Sequence, residues 1–245
     1  MTAAISARGL RKRYREHEVF EDLALCVDRS ETVAILGASG CGKSTLLRCI
    51  AGLVPLDGGE LAVDGEIGFV FQEPRLMPWL TVERNVAFAA RDATERARVR
   101  GVLELVGLTN ATHLLPKELS GGMAQRAALA RSLVRSPQIL LLDEPLSALD
   151  ALLRLELQTA LASIVAETRC TTLLVTHDVD EALYMADRIV VLAGTPAKTL
   201  LEVTVPPWLR RSRYADATSE RVMLLAALGV PGPATLSRPN VASAR

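Results

Sequence analysis

The residues best suited to chemistry are a lysine inside a glycine loop, two adjacent carboxylates, and a glutamine and a histidine that each follow an apolar run. The loop reads Gly37-Ala38-Ser39-Gly40-Cys41-Gly42-Lys43-Ser44-Thr45, with G-x-x-x-x-G-K-[ST] spacing. Glycines let successive backbone N–H groups converge on one point, and a following helix adds the partial positive charge of its N-terminus. Lys43 then brings a full charge to the β- and γ-phosphates, and the Ser44 hydroxyl can sit on Mg²⁺. Asp143 and Glu144 follow Ile139-Leu140-Leu141-Leu142. Neighbouring side chains on an extended chain point opposite ways, so the two acids take different tasks. Asp143 would hold Mg²⁺ through water, and Glu144 would orient or deprotonate the attacking water. Gln72 is placed to reach the metal or that water, and His177 the γ-phosphate. For these two a plain loop amide and a packed imidazole are the alternatives.

Those side chains need strands and helices to hold them. Thr32–Leu36 reads as a buried strand into the glycine loop, and Leu46–Ala51 as the helix leaving it, stopped by Gly52. Ile67–Phe71, Ile139–Leu142, Thr172–Thr176 and Ile189–Leu192 read as further buried strands, the last closing the core. In open α/β sheets ligands gather at the C-terminal ends of such strands, where Gln72, Asp143, Glu144 and His177 fall. A second helix start lies at Leu119-Ser120-Gly121-Gly122-Met123-Ala124-Gln125. Ser120 is suited to N-cap it, and two glycines leave its first amides bare, making a second anion site or a plain capped helix. Tyr14, in the basic run Leu10–Arg15, either stacks on an adenine ring or packs at a sheet edge.

The 245 residues suit one large domain with a small lobe, and 49% hydrophobic residues with mean hydropathy +0.24 supply its core. Lys+Arg and Asp+Glu are equal at 28 each, which argues against nucleic acid as a partner. No apolar run approaches the roughly 18 residues of a membrane span, and the first residues lack the pattern of a secretory signal. The 4 cysteines show no metal-ligand spacing and read as reduced thiols.

Residues 5–28 read as two strands broken by charged turn residues. Residues 81–118 read as a polar, helical insertion with Val99, Val102, Leu103 and Val106 on one face and Gly107 as its cap. Before it, Pro74 and Pro78 prevent regular structure, yet Leu76, Met77, Trp79 and Leu80 crowd together as a local core or an exposed docking patch. Together these give an α/β fold: a mainly parallel sheet, an N-terminal antiparallel β subdomain and an inserted α-helical subdomain at about 74–135. The main domain is expected over residues 5–200, with a short extension at 201–230 and a disordered tail at 231–245.

The order Tyr14, glycine loop, Gln72, Leu119–Gln125, Leu140–Glu144, Ser147-Ala148-Leu149-Asp150 and His177 resembles the nucleotide-binding subunit of ABC transporters over residues 5 to 195. Leu119–Gln125 is similar to the family's LSGGQ signature, with Met123 at the usual first Gln; Ser147–Asp150 is similar to its D-loop and His177 to its switch histidine. The resemblance implies a P-loop NTPase core and a head-to-tail homodimer. Each ATP with its Mg²⁺ would be held by residues 37–45 and Tyr14 of one protomer and by Ser120, Gly121, Gly122, Gln125 and Asp150 of the other. Two membrane permease subunits would dock near Leu76, Met77, Trp79 and Leu80, beside a solute-binding protein, at the cytoplasmic face of a bacterial inner membrane. Phe69–Trp79 and Val175–Ala182 are most similar to the importers of aliphatic sulfonates, with taurine, nitrate and pyrimidine-precursor importers as alternatives. Repair and translation ATPases of the same superfamily fit poorly, since the chain has one glycine loop and no heptad run. A dead regulatory subunit would not keep Lys43, Asp143, Glu144 and His177.

Overall fold

The computed structural model describes residues 3–147, 149–211 and 219–230. Strands β1 (Ala3–Tyr14), β2 (His17–Asp28) and β4 (Gly58–Val63) form an antiparallel sheet in the order β2-β1-β4. A second sheet runs β5-β6-β7-β3-β8-β9, from β3 (Thr32–Gly37), β5 (Ile67–Val70), β6 (Ile139–Asp143), β7 (Thr171–Val175), β8 (Arg188–Ala193) and β9 (Lys198–Thr204). Its pairings are parallel except β8 with β9. Every residue of β3, β6 and β7 is buried, which is why these strands read as unbroken apolar runs rather than alternating ones.

Alternation survives in which core each side chain enters. Val33, Ile35, Leu141 and Leu173 pack toward β1, β2 and helix α1 (Lys43–Ile50). Ala34, Leu36, Leu140, Leu142 and Leu174 pack on the opposite face against other helices. Those are α2 (Val82–Ala87), α4 (Val99–Leu105), α5 (Gly121–Leu133), α6 (Ala151–Thr168), α7 (Val179–Met185) and α8 (Ser219–Ala227), while α3 (Ala93–Ala97) adds no side chain to this core. The sheet is thus a rigid slab whose C-terminal strand ends carry the loops of interest. Among the described residues no helix is long and apolar enough to cross a membrane.

Two expectations change. Glu21 and Asp22 do not break β2: Asp22 takes φ 55 and the pairing with β1 slips there, so the strand bends through a bulge. Ile189–Leu192 is the last buried strand, as expected, but it does not end the sheet. β9 adds an antiparallel edge across residue 200, and its largely exposed residues gave no buried-strand signal. The helical insertion is three short helices and two 3₁₀ turns, with Gly107 at φ 68 closing α4. Ala148, Arg213 and the tail from residue 231 lie outside the described residues.

Candidate active site

The loop between β3 and α1 has its shape because two positions admit no side chain. A Cβ on Gly37 would lie 2.5 Å from the Leu192 carbonyl oxygen. Gly42, the N-cap of α1, has φ 99, and a Cβ there would lie 2.5 Å from Val19 Cγ1. No acidic residue occupies the first turn of α1, so its N-terminal charge stays uncompensated by the helix itself. Lys43 is 4% exposed, and its Nζ donates to the Gly37 carbonyl at 2.8 Å and the Ala38 carbonyl at 2.9 Å. Its third N–H points to Cys41 Sγ at 4.0 Å, a weak acceptor and the contact that a phosphate oxygen would most easily replace. Cys41 is buried within the same loop, and Thr45 lies in the first turn of α1.

Ser44 Oγ donates to Asp143 Oδ1 at 2.6 Å, while Arg48 Nη2 stands 3.6 Å from Asp143 Oδ2. Burial raises the Asp143 carboxyl above its ordinary value, and the Ser44 and Arg48 contacts act against that rise. Sequence reasoning missed Arg48, although it lies four residues after Ser44 and so on the same helix face. Mg²⁺ prefers hard oxygen ligands, commonly one or two carboxylates plus phosphate oxygens and water. A hydroxyl beside a single buried carboxylate fits that pattern; Ser44 and Asp143 are the residues that would hold the ion.

Glu144 leaves β6 at φ 46, with its N–H donating to the Val175 carbonyl at 2.9 Å. A left-handed conformation is uncommon for a residue with a side chain. The Glu144 carboxylate comes within 3.3 Å of His177 Nδ1. The two acids therefore meet different partners, Ser44 for Asp143 and His177 for Glu144. Gln72 Nε2 donates to Ser147 Oγ at 3.2 Å, and Ser147 Oγ donates to the Glu144 carbonyl at 3.0 Å. Gln72 thus meets Glu144 through Ser147; no hydrogen bond among the described residues joins it to Ser44 or Asp143.

The glycine-rich start of α5 stands apart. Ser120 Oγ accepts from the Met123 N–H at 3.3 Å, as an N-cap should, and Gly121 and Gly122 follow it. Among the described residues no hydrogen bond or ion pair links Ser120, Gly121 or Gly122 to the loop at 37–45. Gln125 departs from the expectation of a nucleotide contact. It is 7% exposed and donates from Nε2 to the Phe71 carbonyl at 3.3 Å, because one helical turn carries it from the exposed cap into the interior. Asp150 N-caps α6 by accepting from the Leu153 N–H at 3.1 Å. Tyr14 ends β1 about half exposed, with Lys12 Nζ 5.1 Å from its ring centroid.

Behind His177 lies Glu181, which sequence reasoning also missed. It is 5% exposed and receives a 2.5 Å hydrogen bond from Thr176 Oγ1, while its Oε1 has no partner. Burial pushes its carboxyl up to about 7, from 4.5. Between those values the folded protein holds a proton that the unfolded chain has released, so stability falls as pH rises from 4.5 through 7. The loss amounts to about 3 kcal/mol. Glu181→Gln keeps the shape without the charge. Urea unfolding at pH 5 and pH 8 should show wild type losing about that much relative to the variant. Parallel curves for the two proteins would refute a proton on Glu181.

Known proteins resemble this chain over most of its length. The profile described as ABC transporter matches residues 20–147. The chain is 50% identical over 196 residues to the aliphatic sulfonates import ATP-binding protein SsuB 2 of Pseudomonas syringae pv. tomato, covering 80% of this chain and 84% of that protein. It is 47% identical over 234 residues to SsuB 1 of Xanthomonas axonopodis pv. citri, covering 89% and 93%. A solved dimeric structure, the post-hydrolysis state of the ATP-binding cassette MJ0796 bound to ADP and Pi, matches with TM-score 0.73 and 29% identity, over 82% of this chain and 99% of that one. CbiO1 of Clostridium perfringens, part of the transporter complex cbiONQ, matches with TM-score 0.76 and 25% identity, over 92% and 95%.

Proposed function

Given that this chain belongs to the ABC transporter family, we propose that it is the ATP-hydrolysing subunit of an importer for aliphatic sulfonates. The observation that carries the enzymatic part is the junction of Lys43, Ser44, Asp143, Glu144 and His177 at the strand ends of one sheet. Lys43 binds phosphate, and Ser44 and Asp143 would hold Mg²⁺, which would supply charge neutralisation on the phosphates. Glu144 takes the proton of the attacking water, and His177 orients Glu144 through the 3.3 Å contact. Gln72 and Ser147 hold the backbone behind Glu144.

The start of α5 supports a homodimer in which Ser120, Gly121 and Gly122 complete the partner's site, since they are anion donors with no anion of their own protomer to meet. Asp150, at the D-loop, and Tyr14, beside the adenine, complete each site in this reading. The dimeric cassette MJ0796 supports the same arrangement. The sulfonate cargo rests on the relatives named for it, several of them 44–50% identical. Two permease subunits and a solute-binding protein would complete the importer, at the cytoplasmic face of the membrane.

Cargo is tested by deleting this chain in its own organism. Growth on an alkanesulfonate as sole sulfur source should stop while growth on sulfate continues. Intact growth on alkanesulfonate, with loss on taurine or nitrate, would move the assignment to one of those solutes.

A further inference from the structure

At the end of the sheet opposite the glycine loop lies a cleft of about 330 Å³, within the roughly 300–1,000 Å³ of small-molecule sites. It opens beside Thr32, the first residue of β3, whereas the glycine loop begins at Gly37, the last. Its rim carries three arginines, Arg169, Arg210 and Arg211. Arg210 is committed to Asp187, whose other oxygen accepts the Thr32 N–H at 2.8 Å. None of the ion pairs among the described residues involves Arg169 or Arg211. The cleft therefore keeps two guanidinium groups without a carboxylate partner, Arg211 Nη2 making only a 3.5 Å contact to the Ala162 carbonyl. Val165, Ala166, Met185 and Pro207 supply an apolar wall. A guanidinium matches the oxygen spacing of a compact oxyanion, and the wall suits a short hydrocarbon attached to it.

We propose that this cleft binds a small organic oxyanion of the alkylsulfonate class and that its occupancy modulates hydrolysis. The choice of a sulfonate over other organic oxyanions rests on the cargo proposed above; the charge and the apolar wall do not. Coupling has a physical route. Ala162, Val165, Ala166 and Arg169 come from the last turns and C-cap of α6, while Tyr184 and Met185 end α7. The same two helices begin at Asp150 and just after His177. An 18-residue helix is about 27 Å long, so a ligand wedged between the far ends of α6 and α7 bears on the loops that hold Glu144 and His177. An importer subunit so equipped would register its product on the side where the product accumulates.

The test uses the purified full chain, with butane-1-sulfonate and sulfate at matched ionic strength. Calorimetric titration should give saturable binding of butanesulfonate, with sulfate weaker. At ten times Kd the melting temperature should rise by about 3–6 °C, and ATP turnover should change with the same midpoint. The double variant Arg169→Ala/Arg211→Ala should lose about 10- to 100-fold in affinity. Both side chains are exposed, so the variant's melting temperature without ligand and its ATP binding should match wild type and report its folding. The Lys double variant should recover part of the affinity. Absent saturable binding, or binding that survives the alanine pair, overturns the site. Sulfate binding as tight as butanesulfonate overturns the organic ligand, and bound ligand without any change in turnover overturns the regulation. None of these outcomes touches the growth test of cargo.

Discussion

Glu144→Gln should bind ATP as wild type does and hydrolyse it about 10²–10⁴-fold more slowly, the usual cost of losing a positioned base. The reason lies in what the substitution spares. Ser44, Asp143 and Arg48 form their own cluster and make no hydrogen bond to the Glu144 side chain. The Glu144 backbone is held independently, its N–H by Val175 and its carbonyl by Ser147. A glutamine of the same length keeps an oxygen for His177, 3.3 Å from the carboxylate in wild type, but cannot accept the water proton. Nucleotide should therefore stay bound, and in the proposed dimer the bound state is the closed one. Size-exclusion chromatography with MgATP should move the variant to twice its monomer mass, while wild type returns to monomer as ATP is consumed. Turnover within a few-fold of wild type would place the base elsewhere and leave Glu144 a structural partner of His177.

How much of this site sequence could reveal depended on whether local pattern or tertiary placement decides it. The glycine loop was legible because backbone geometry itself demands the residue type: Gly37 faces a carbonyl and Gly42 takes a positive φ. Strand alternation predicted different directions for Asp143 and Glu144, but what sets them apart is the left-handed turn at Glu144, just past the end of β6, which no alternation pattern foretells. Arg48 and Glu181 were not read, since their importance comes from Asp143 and Thr176, partners about 95 and 5 residues away. For Arg48 the i+4 spacing from Ser44 was a usable signal. Gln125 was assigned by its place in a motif, and helical rotation turned it inward to Phe71. β9 escaped because an exposed edge strand lacks the apolar run that marks its buried neighbours.

Trp79→Ala should leave the isolated subunit folded and hydrolysing ATP, yet abolish transport and co-purification with the permease. The crowded apolar segment at 76–80 had two readings, and exposure separates them. Leu76 packs against the core, whereas Trp79 is 73% exposed, and Phe88, just past α2, is 64% exposed. Buried as a core residue, Trp79 would cost about 3–5 kcal/mol on truncation; this exposed, the change should stay within about 0.5 kcal/mol. The segment is nonetheless rigid. Asn85, 1% exposed, accepts from the Met77 N–H at 2.7 Å and donates to the Leu80 carbonyl at 2.8 Å, pinning an irregular chain in place. Arg131 of α5 donates to the carbonyls of Pro74 and Arg75 at 2.9 and 2.6 Å. The exposed tryptophan therefore sits on a fixed platform tied to the signature helix, and Gln72 lies two residues before Pro74. Trp is among the residues that anchor interfaces when buried by a partner, and in the proposed importer the permease is that partner. A thermal melt beside a permease pull-down and a vesicle transport assay decides it. A variant that melts several degrees early would return Trp79 to the core, and one that still transports would move the docking surface elsewhere. The companion Asn85→Ala should do the reverse, lowering the melting temperature by loosening the platform while Trp79 itself remains in place.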